Sequence, residues 1–147
     1  MDTLQLLRNV ELFDGLSDTE LDRLAGFCRE SRFQKGEYIT QQGQAGSDIF
    51  IVQEGLVEVS VGAPVVNGEP QTVVNLGTGQ VVGEMALVDH GPRSATVRCV
   101  MPTTVYALDR DAFEQVCQTD QHIGLVVYRN LAADLSFKLR HRNLARR

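Results

Sequence analysis

The sequence predicts a mainly β protein with flanking helices, in which short strands form a β sandwich or a jelly-roll barrel. Between residues 30 and 109, short segments rich in β-branched and aromatic residues alternate with glycines, as expected for strands joined by tight turns. Before this region, apolar residues recur at the three- and four-residue spacing of an amphipathic helix, and after it a longer stretch does so again. These observations place one β region between two helical regions.

Length and composition are those of an ordinary globular protein. The chain has 147 residues, of which 43% are hydrophobic and 22% are charged, so we expect one domain with a sizeable core. No apolar run approaches the roughly 20 residues of a membrane span, and the first residues lack the basic and apolar pattern of a signal peptide. We therefore expect a cytoplasmic protein that has no membrane partner.

The charge of the chain is uneven. The net charge of −5 disfavours nonspecific binding of nucleic acid by the domain as a whole. Residues 138–147 carry five basic residues and no acid, a local charge of +5. Subtracting this charge from the net charge of −5 leaves about −10 on the other residues. A solvated helix end explains this basic run most simply, and a contact surface for a partner is the second explanation.

The patterns typical of enzymes and metal sites do not occur in the sequence. The three histidines lie outside the predicted strands and form no His-x-His pair. They are His90, His122 and His141. The three cysteines Cys28, Cys99 and Cys117 have no metal-ligand spacing, and we interpret them as reduced, buried thiols. Since no Gly-x-Ser-x-Gly motif occurs either, we expect no metal and no catalytic activity.

The region before the strands is predicted to hold two helices. Apolar spacing favours a short helix over residues 4–10. A second helix is predicted from about residue 18 to residue 28, because Ser17 and Glu20 form a capping box at its start. We expect both helices to pack on the outside of the β region.

Eight strands are predicted between residues 30 and 109. They are Glu30–Phe33, Glu37–Thr40, Asp48–Gln53, Leu56–Val61, Gln71–Leu76, Val81–Val82, Thr96–Val100 and Thr103–Leu108. Asn67-Gly68 is the strongest hairpin signal, although Pro64 and Pro70 favour a loosely attached turn there.

Two helices are predicted after the strands. Asp109 caps a short helix that ends at about Cys117, and a longer helix follows over residues 121–143. Apolar residues form a stripe along the longer helix. They are Ile123, Val127, Leu131, Leu135 and Leu139. The stripe can cover the open end of the β region or pair with a second copy of the chain, and both uses bury the same residues.

The strongest functional signal is a pair of motifs, Gly83-Glu84-Met85-Ala86-Leu87 and Pro92-Arg93-Ser94-Ala95-Thr96. The Glu84 carboxylate can accept two hydrogen bonds from ribose hydroxyls, and the Arg93 guanidinium presents a planar set of donors to a phosphate. Gly83 lets the backbone approach closely, and the amides of the following turn can point at an anion. The alternative is a surface ion pair between Glu84 and Arg93, worth about 0–1 kcal/mol.

The two motifs resemble the phosphate-binding cassette of cyclic nucleotide-binding domains, such as the sensor domains of the catabolite activator protein and of cyclic-nucleotide-dependent kinase regulatory subunits. Residues 35–39 and 48–55 are similar to recurring phrases of that family, and the likeness covers about residues 12–117. Val82 stands where the family often has an aromatic residue, at a packing position. The resemblance implies a β jelly-roll barrel with N-terminal helices and a C-terminal helical lid.

The resemblance also implies a role for each cassette residue. Glu84 takes the ribose 2′-hydroxyl, Arg93 takes the exocyclic phosphate oxygens, and the residues after Arg93 contact the phosphate with nearby amides. The implied ligand-binding residues are Gly83, Glu84, Met85, Ala86, Leu87, Arg93, Ser94 and Ala95. The single domain over residues 1–147 then divides into N-terminal helices at 1–28, a barrel at 29–109 with the cassette at 83–96, and C-terminal helices at 110–147.

Three functions of different class follow as hypotheses. The first is a sensor that binds cAMP or cGMP and signals through movement of its C-terminal helices. The second is the sensor portion of a transcription regulator whose DNA-reading half lies outside this chain, since the predicted elements leave no segment for a helix-turn-helix, and we expect no DNA binding by this chain alone. The third is a degenerate barrel used only for protein contact, which the intact Glu84 and Arg93 disfavour.

The resemblance favours cAMP over cGMP by a small margin. In the family an alanine after the phosphate arginine accompanies cAMP and a threonine often accompanies cGMP, while Ser94 suits either. The C-terminal helix can place Phe137, Lys138, Arg140 or His141 near the base, and no carboxylate follows Asp134 to accept hydrogen bonds from guanine. A homodimer through the C-terminal helix is expected slightly ahead of a monomer.

Overall fold

The computed structural model describes the backbone of residues 2–62 and 72–145 and the side chains of residues 2–62 and 73–141. The predicted Asn67-Gly68 hairpin, with Pro64 and Pro70, lies outside the described residues. In chain order the elements are α1 (Thr3–Arg8), a 3₁₀ turn (Glu11–Phe13), α2 (Asp18–Ala25), β1 (Arg29–Phe33), β2 (Tyr38–Thr40), β3 (Asp48–Glu54), β4 (Val57–Val61), β5 (Thr72–Leu76), β6 (Val81–Val82), a second 3₁₀ helix (Glu84–Leu87, called here the cassette helix), β7 (Thr96–Cys99), β8 (Thr103–Asp109), α3 (Arg110–Thr119) and α4 (Gln121–Ala145).

The eight strands form two antiparallel four-stranded sheets. The first sheet has the order β1-β8-β3-β6 and the second has the order β2-β7-β4-β5. Phe50 of β3 pairs with Val82 of β6 on one side and with Ala107 of β8 on the other, which fixes the strand that leads into the cassette helix. A mainly β fold with flanking helices is confirmed. Within the described part of the chain the two sheets are separate and do not close into one barrel.

One hydrophobic core lies between the two sheets. Successive side chains of a strand point to opposite faces, so Phe50 and Val52 of β3 face the second sheet. They meet buried residues from both sheets. These are Val57, Val82, Val97, Cys99, Val105 and Ala107. Val82 is 3% exposed, which confirms that this position serves packing.

A second core lies between the first sheet and the helices. Ile49 and Ile51 of β3, together with Leu108 of β8, point to the outer face of the sheet and are fully buried there. The helices supply the other side of this core with fully or almost fully buried residues. They include Leu6, Leu7, Leu24, Phe113, Ile123, Val127 and Leu131. The N-terminal helices therefore pack on the outside of the β region, as the sequence predicts.

The helix starts follow the predicted caps. Ser17 and Glu20 form the capping box of α2, with the Ser17 amide donating to Glu20 at 2.9 Å. The Asp109 carboxylate accepts from the first amides of α3 at 3.1 and 3.3 Å. Helix α2 ends at Ala25 rather than at residue 28, because the chain turns there to enter β1 at Arg29.

Helix α4 is fixed to the rest of the chain along its first half. Ile123, Val127 and Leu131 of the predicted stripe are at most 1% exposed, and the Asn130 side chain donates to the carbonyls of residues 12 and 14 at 2.9 and 2.8 Å. Leu139, at the far end of the stripe, is 58% exposed. The stripe thus covers the chain's own helical core over most of its length, and its last residue lies in solvent.

The three cysteines are free thiols. Cys99 is fully buried between the sheets, while Cys28 and Cys117 are half-buried at the edge of the helical core. Burial raises the pKa of the Cys28 thiol to about 11, and burial with the nearby Asp120 and Glu114 carboxylates raises the pKa of Cys117 to about 11. Both thiols are therefore protonated and weakly nucleophilic at neutral pH.

Candidate nucleotide-binding site

Gly83 forms the turn between β6 and the cassette helix. Its φ of 79° and ψ of 15° lie in the left-handed region, which glycine adopts without steric cost. A Cβ at this position would lie 2.8 Å from Nη1 of Arg93 and 3.1 Å from the Asp48 carbonyl oxygen. Gly83 is therefore required both for the turn and for the close approach of the arginine.

The Arg93 guanidinium lies between two glycines. On one side is Gly83, and on the other a Cβ added to Gly46 would lie 2.7 Å from Nη2 of Arg93. Nη1 donates a hydrogen bond to the Asp48 carbonyl at 2.7 Å, and the Phe50 ring lies 5.5 Å from the guanidinium carbon, within cation–π range. Burial lowers the pKa of Arg93, and the charge of Asp48 opposes that shift. The arginine stays charged but is partly desolvated.

The backbone around Arg93 is held by the loop between β2 and β3. The Arg93 amide donates to the Gln44 carbonyl at 2.7 Å, and the Gly43 amide donates to the Arg93 carbonyl at 2.9 Å. At the end of β2, the Thr40 hydroxyl donates to the Ala95 carbonyl at 3.0 Å. These bonds set the direction in which the Arg93 side chain leaves the backbone.

Glu84 makes its contact with helix α4. Its Oε1 lies 3.7 Å from Nζ of Lys138, and the same ammonium lies 2.9 Å from the Asp134 carboxylate. Burial disfavours the charged form of Lys138, but the hydrogen bond to Asp134 and the charges of Glu84 and Asp134 outweigh it and raise the pKa of the amine. Among the described side chains, Glu84 thus pairs with Lys138 and not with Arg93, which excludes the simple Glu84–Arg93 ion pair.

The remaining predicted site residues differ in what they can present to a ligand. The side chains of Ala86 and Leu87 are 8% and 3% exposed, so only their backbone can face a ligand. Ser94 and His90 are exposed, and Met85 and Ala95 are half-buried. The structure brings Gly83 and Arg93 into direct contact and places Glu84 next to Gly83 at the start of the same turn.

Three contributors to the site were not found from the sequence. Gly46 provides space for the Arg93 guanidinium, Asp48 provides a carbonyl acceptor, and Phe50 provides the ring beside it. Asp48 and Phe50 belong to a segment that the sequence identified as a strand and as a phrase similar to the family, but not as part of the site. A backbone acceptor carries no sequence signal, and Gly46 is one of several turn glycines. Lys138 was a candidate for contact with the base, and the structure places it on Glu84 instead.

An open cleft of about 550 Å³ adjoins the cassette on the side of the segment that precedes Arg93. It is lined by Gly43, Ala45, Gly46, Ser47, His90, Gly91, Pro92 and Arg110. Within residues 2–62 and 72–141, no group of three or more His, Cys, Asp or Glu side chains is arranged to hold a metal ion. Among the described residues, none of the helices contains a hydrophobic stretch that could span a bilayer.

The two packed sheets present a glycine-bounded turn, a carboxylate and a partly desolvated arginine, which are groups suited to an anionic small ligand. The model of the cyclic nucleotide-binding domain family matches residues 30–120, and the chain belongs to that family.

Individual relatives agree with this assignment. The crystal structure of the Thermus thermophilus catabolite activator protein superposes with a TM-score of 0.79 at 31% identity, over 92% of this chain and 61% of that one. The regulatory domain of Toxoplasma gondii PKA, solved with cAMP, gives a TM-score of 0.69 at 29% identity, over 78% of this chain and 42% of that one. A cGMP-dependent protein kinase of Eimeria tenella is 30% identical over 83% of this chain and 12% of the kinase. The chain spans less than two thirds of each of these relatives.

Proposed function

We propose that this chain is a regulatory domain that binds a cyclic nucleotide at the cassette. The observation that carries the proposal is the position of the Arg93 guanidinium, which lies between Gly46 and Gly83, where a side chain would displace it. Within the described residues, the Arg93 guanidinium donates a hydrogen bond through Nη1. Its other N–H groups can therefore donate to phosphate oxygens.

The proposed binding residues are those of the cassette. The cyclic phosphate docks on Arg93 and on amides of the turn and of Ala95, and the ribose 2′-hydroxyl bonds to Glu84. The complete set is Gly83, Glu84, Met85, Ala86, Leu87, Arg93, Ser94 and Ala95. Ala86 and Leu87 contribute through their backbone, because their side chains are buried in the core.

We infer cAMP as the preferred ligand. The Toxoplasma gondii relative was solved with cAMP, whereas the Eimeria tenella relative is a cGMP-dependent kinase, and Ser94 suits either base. In the last part of α4, Lys138 is engaged by Asp134 and Glu84. Phe137 packs on His141 with a centroid distance of 3.9 Å. This leaves an aromatic surface and no carboxylate for guanine, which favours adenine.

The proposed signal passes through α4. Lys138 lies on this helix and contacts Glu84 at 3.7 Å, so a ribose that bonds to Glu84 changes the environment of a residue on α4. A ligand shifts a conformational equilibrium only to the extent that it binds the two states unequally. The Lys138–Glu84 contact is the place where that difference can arise.

The wider assignment is also a proposal. We infer one domain over residues 1–147, a non-catalytic role in the cytoplasm, and jelly-roll connectivity of the two sheets, which the strand orders support. DNA binding by this chain alone is not proposed. The chain serves either as a free-standing sensor or as the sensor portion of a larger regulator of the catabolite-activator type.

The surface proposed for the homodimer differs from the apolar stripe that the sequence predicts. Since the first half of the predicted stripe is buried within the chain, pairing of α4 helices has to use another face. Leu125, Tyr128 and Leu139 are 60%, 37% and 58% exposed, and with Ala132 they are separated by three, four and seven residues, which are separations between a and d positions of a coiled coil. This exposed face is the proposed dimer contact.

The direct test is calorimetric titration of the protein with cAMP, cGMP and 5′-AMP. We expect saturable binding of both cyclic nucleotides, with cAMP tighter, and much weaker binding of 5′-AMP, whose extra phosphate charge and open ring do not match the cassette. Absence of binding by both cyclic nucleotides to a folded protein would refute the proposal. Tighter binding of cGMP would refute the base assignment alone.

A further inference from the structure

Arg110 is a largely buried arginine whose Nε has no good ionic partner among the described residues. It begins α3, and its side chain is 14% exposed. Its Nε is buried and has no hydrogen-bond acceptor within the described residues. The nearest carboxylate oxygen belongs to the adjacent Asp111 and lies 3.9 Å away, at the outer limit of an ion pair. Burial of a guanidinium in this state is unfavourable for folding, so ion pairing does not explain the position of Arg110.

The contacts of Arg110 point to the cassette helix. Its Nη1 lies 3.5 Å from the Ala86 carbonyl oxygen and 3.4 Å from the Asp89 carbonyl oxygen. The Ala86 carbonyl lies in the last turn of the cassette helix and the Asp89 carbonyl lies two residues beyond its end, where the chain leaves the helix and no following helical turn supplies amides. A cation is favourable at such an end. Arg110 therefore supports the end of the cassette helix that lies away from Gly83.

The backbone of the same residue is tied to the loop that orients Arg93. The Arg110 amide donates to the Ser47 carbonyl at 3.1 Å. The Ser47 hydroxyl donates to the carboxylate of Asp109, the residue before Arg110, at 2.8 Å. This bond is the main cause of the lowered pKa of Asp109, so the carboxylate is ionised at neutral pH. The residue after Ser47 is Asp48, whose carbonyl accepts the Arg93 hydrogen bond at 2.7 Å.

Arg110, which also lines the open cleft beside the cassette, thus joins the two halves of the proposed site. Its side chain holds the helix that begins with Glu84, and its backbone holds the loop that orients Arg93. We propose that Arg110 is a positioning residue, which sets the cassette helix at the distance from Arg93 that a cyclic nucleotide requires and connects the cassette to α3. This inference rests on the proposed function, because it names the residue that keeps the binding site assembled.

The test compares Arg110→Met and Arg110→Lys with Arg32→Met. Arg32 is a matched control because its side chain is 81% exposed and bonds only Glu30 within the described residues. Two quantities are measured in the full chain, namely the hydrogen-exchange rates of backbone amides and the affinity for cAMP by calorimetry. The amides of Val88 and Asp89 report on the cassette helix, because both donate to the Met85 carbonyl.

We expect about tenfold faster exchange of these two amides in Arg110→Met and about tenfold weaker cAMP binding, the usual scale of coupling between sites. Amides of β3 and β8 are expected to exchange as in the wild type. Lysine keeps the charge but not the fork, so Arg110→Lys should recover part of both effects, and Arg32→Met should show neither. Should Arg110→Met fail to fold, the intermediate behaviour of Arg110→Lys remains a decisive measurement.

Two results would overturn the inference. The first is unchanged exchange at Val88 and Asp89 in both Arg110 variants, and the second is an equal increase across the whole protein, which indicates general destabilisation. A wild-type protein that binds neither cyclic nucleotide refutes the proposed function and the ligand-positioning role with it. In that case the exchange data alone still decide whether Arg110 holds the cassette helix.

Discussion

Replacement of Arg93 by leucine removes the cation that the proposed site offers to a phosphate. The substitution keeps apolar bulk beside the Phe50 ring, which lies 5.5 Å from the guanidinium carbon, so the local packing is largely retained. It leaves the Asp48 carbonyl without its 2.7 Å hydrogen bond. It also removes a guanidinium whose charged form is disfavoured by burial. These two effects on stability oppose each other.

The expected magnitude follows from the burial of the arginine. Loss of one partner from a buried charge pair costs about 2–5 kcal/mol or more. Arg93 is only half-buried, and solvent can therefore replace part of the lost interaction. We take the lower part of the range, about 2–3 kcal/mol, which corresponds to an increase of about 30- to 150-fold in the Kd for cAMP. The net change in stability is expected to stay within about 1 kcal/mol, or about 2–4 °C in Tm.

Calorimetric titration and thermal melting of the same samples test this prediction. Arg98→Leu is the matched control, because Arg98 lies on β7 five residues further along, where it pairs with Glu58 at 3.6 Å. The control should bind cAMP within about twofold of the wild type, since its half-buried ion pair with Glu58 lies outside the cassette. If Arg93→Leu melts cooperatively and still binds cAMP with wild-type affinity, the assignment of the phosphate to Arg93 is wrong.

Three further predictions concern the ribose, α4 and assembly. Glu84→Ala should weaken cAMP binding by no more than Arg93→Leu does, because a hydrogen bond from a neutral hydroxyl to a carboxylate contributes about 1.5–3 kcal/mol, and it should abolish the preference for cAMP over 2′-deoxy-cAMP; a preference that persists in calorimetry places the ribose elsewhere. Lys138→Met should change cAMP affinity less than about fivefold but remove the effect of cAMP on amide exchange in residues 135–141, and an undiminished effect would contradict signalling through this contact. Sedimentation at rising concentration should detect a dimer that Leu125→Glu dissociates, whereas a wild-type monomer at every concentration rules out pairing through α4.

The fold could be predicted to the level of its elements. Short segments between turn glycines gave eight strands, and the structure has eight within the described residues. The caps at Ser17 and Asp109 marked two helix starts correctly, because a capping side chain acts on amides only three or fewer residues away. The division of strands into two sheets could not be derived in this way. It depends on pairing between strands far apart in the chain, such as β1 with β8.

How well the site could be predicted also depends on whether its contacts are local or distant in sequence. The Gly83-Glu84 turn and Arg93 were recognisable because their residue types suit the ligand and lie close in sequence. The surroundings of Arg93 were not, because Gly46 and the Asp48 carbonyl reach it from another strand connection, 45 residues away in the case of the hydrogen bond. Lys138 was one of four residues of the C-terminal helix predicted as candidates for contact with the base, and distance along the chain could not distinguish that contact from the observed contact with Glu84.

The two halves of α4 differ in burial, and this difference limits how the proposed signal can be transmitted from the site. From Ile123 to Leu131 the helix is buried against the chain's own core and bonded through Asn130, so movement of this part would expose fully buried side chains at a cost of several kcal/mol. Beyond Leu131 the helix presents Phe137 and Leu139 to solvent, at 61% and 58% exposure. In this part a partly exposed ion pair between Lys138 and Glu84, of the kind worth about 0–1 kcal/mol, connects the helix to the cassette. A ligand that offers 1–3 kcal/mol of differential binding can move the second half but not the first. The proposed signal is therefore expected as a bend or rotation of α4 after Leu131, rather than as displacement of the whole helix.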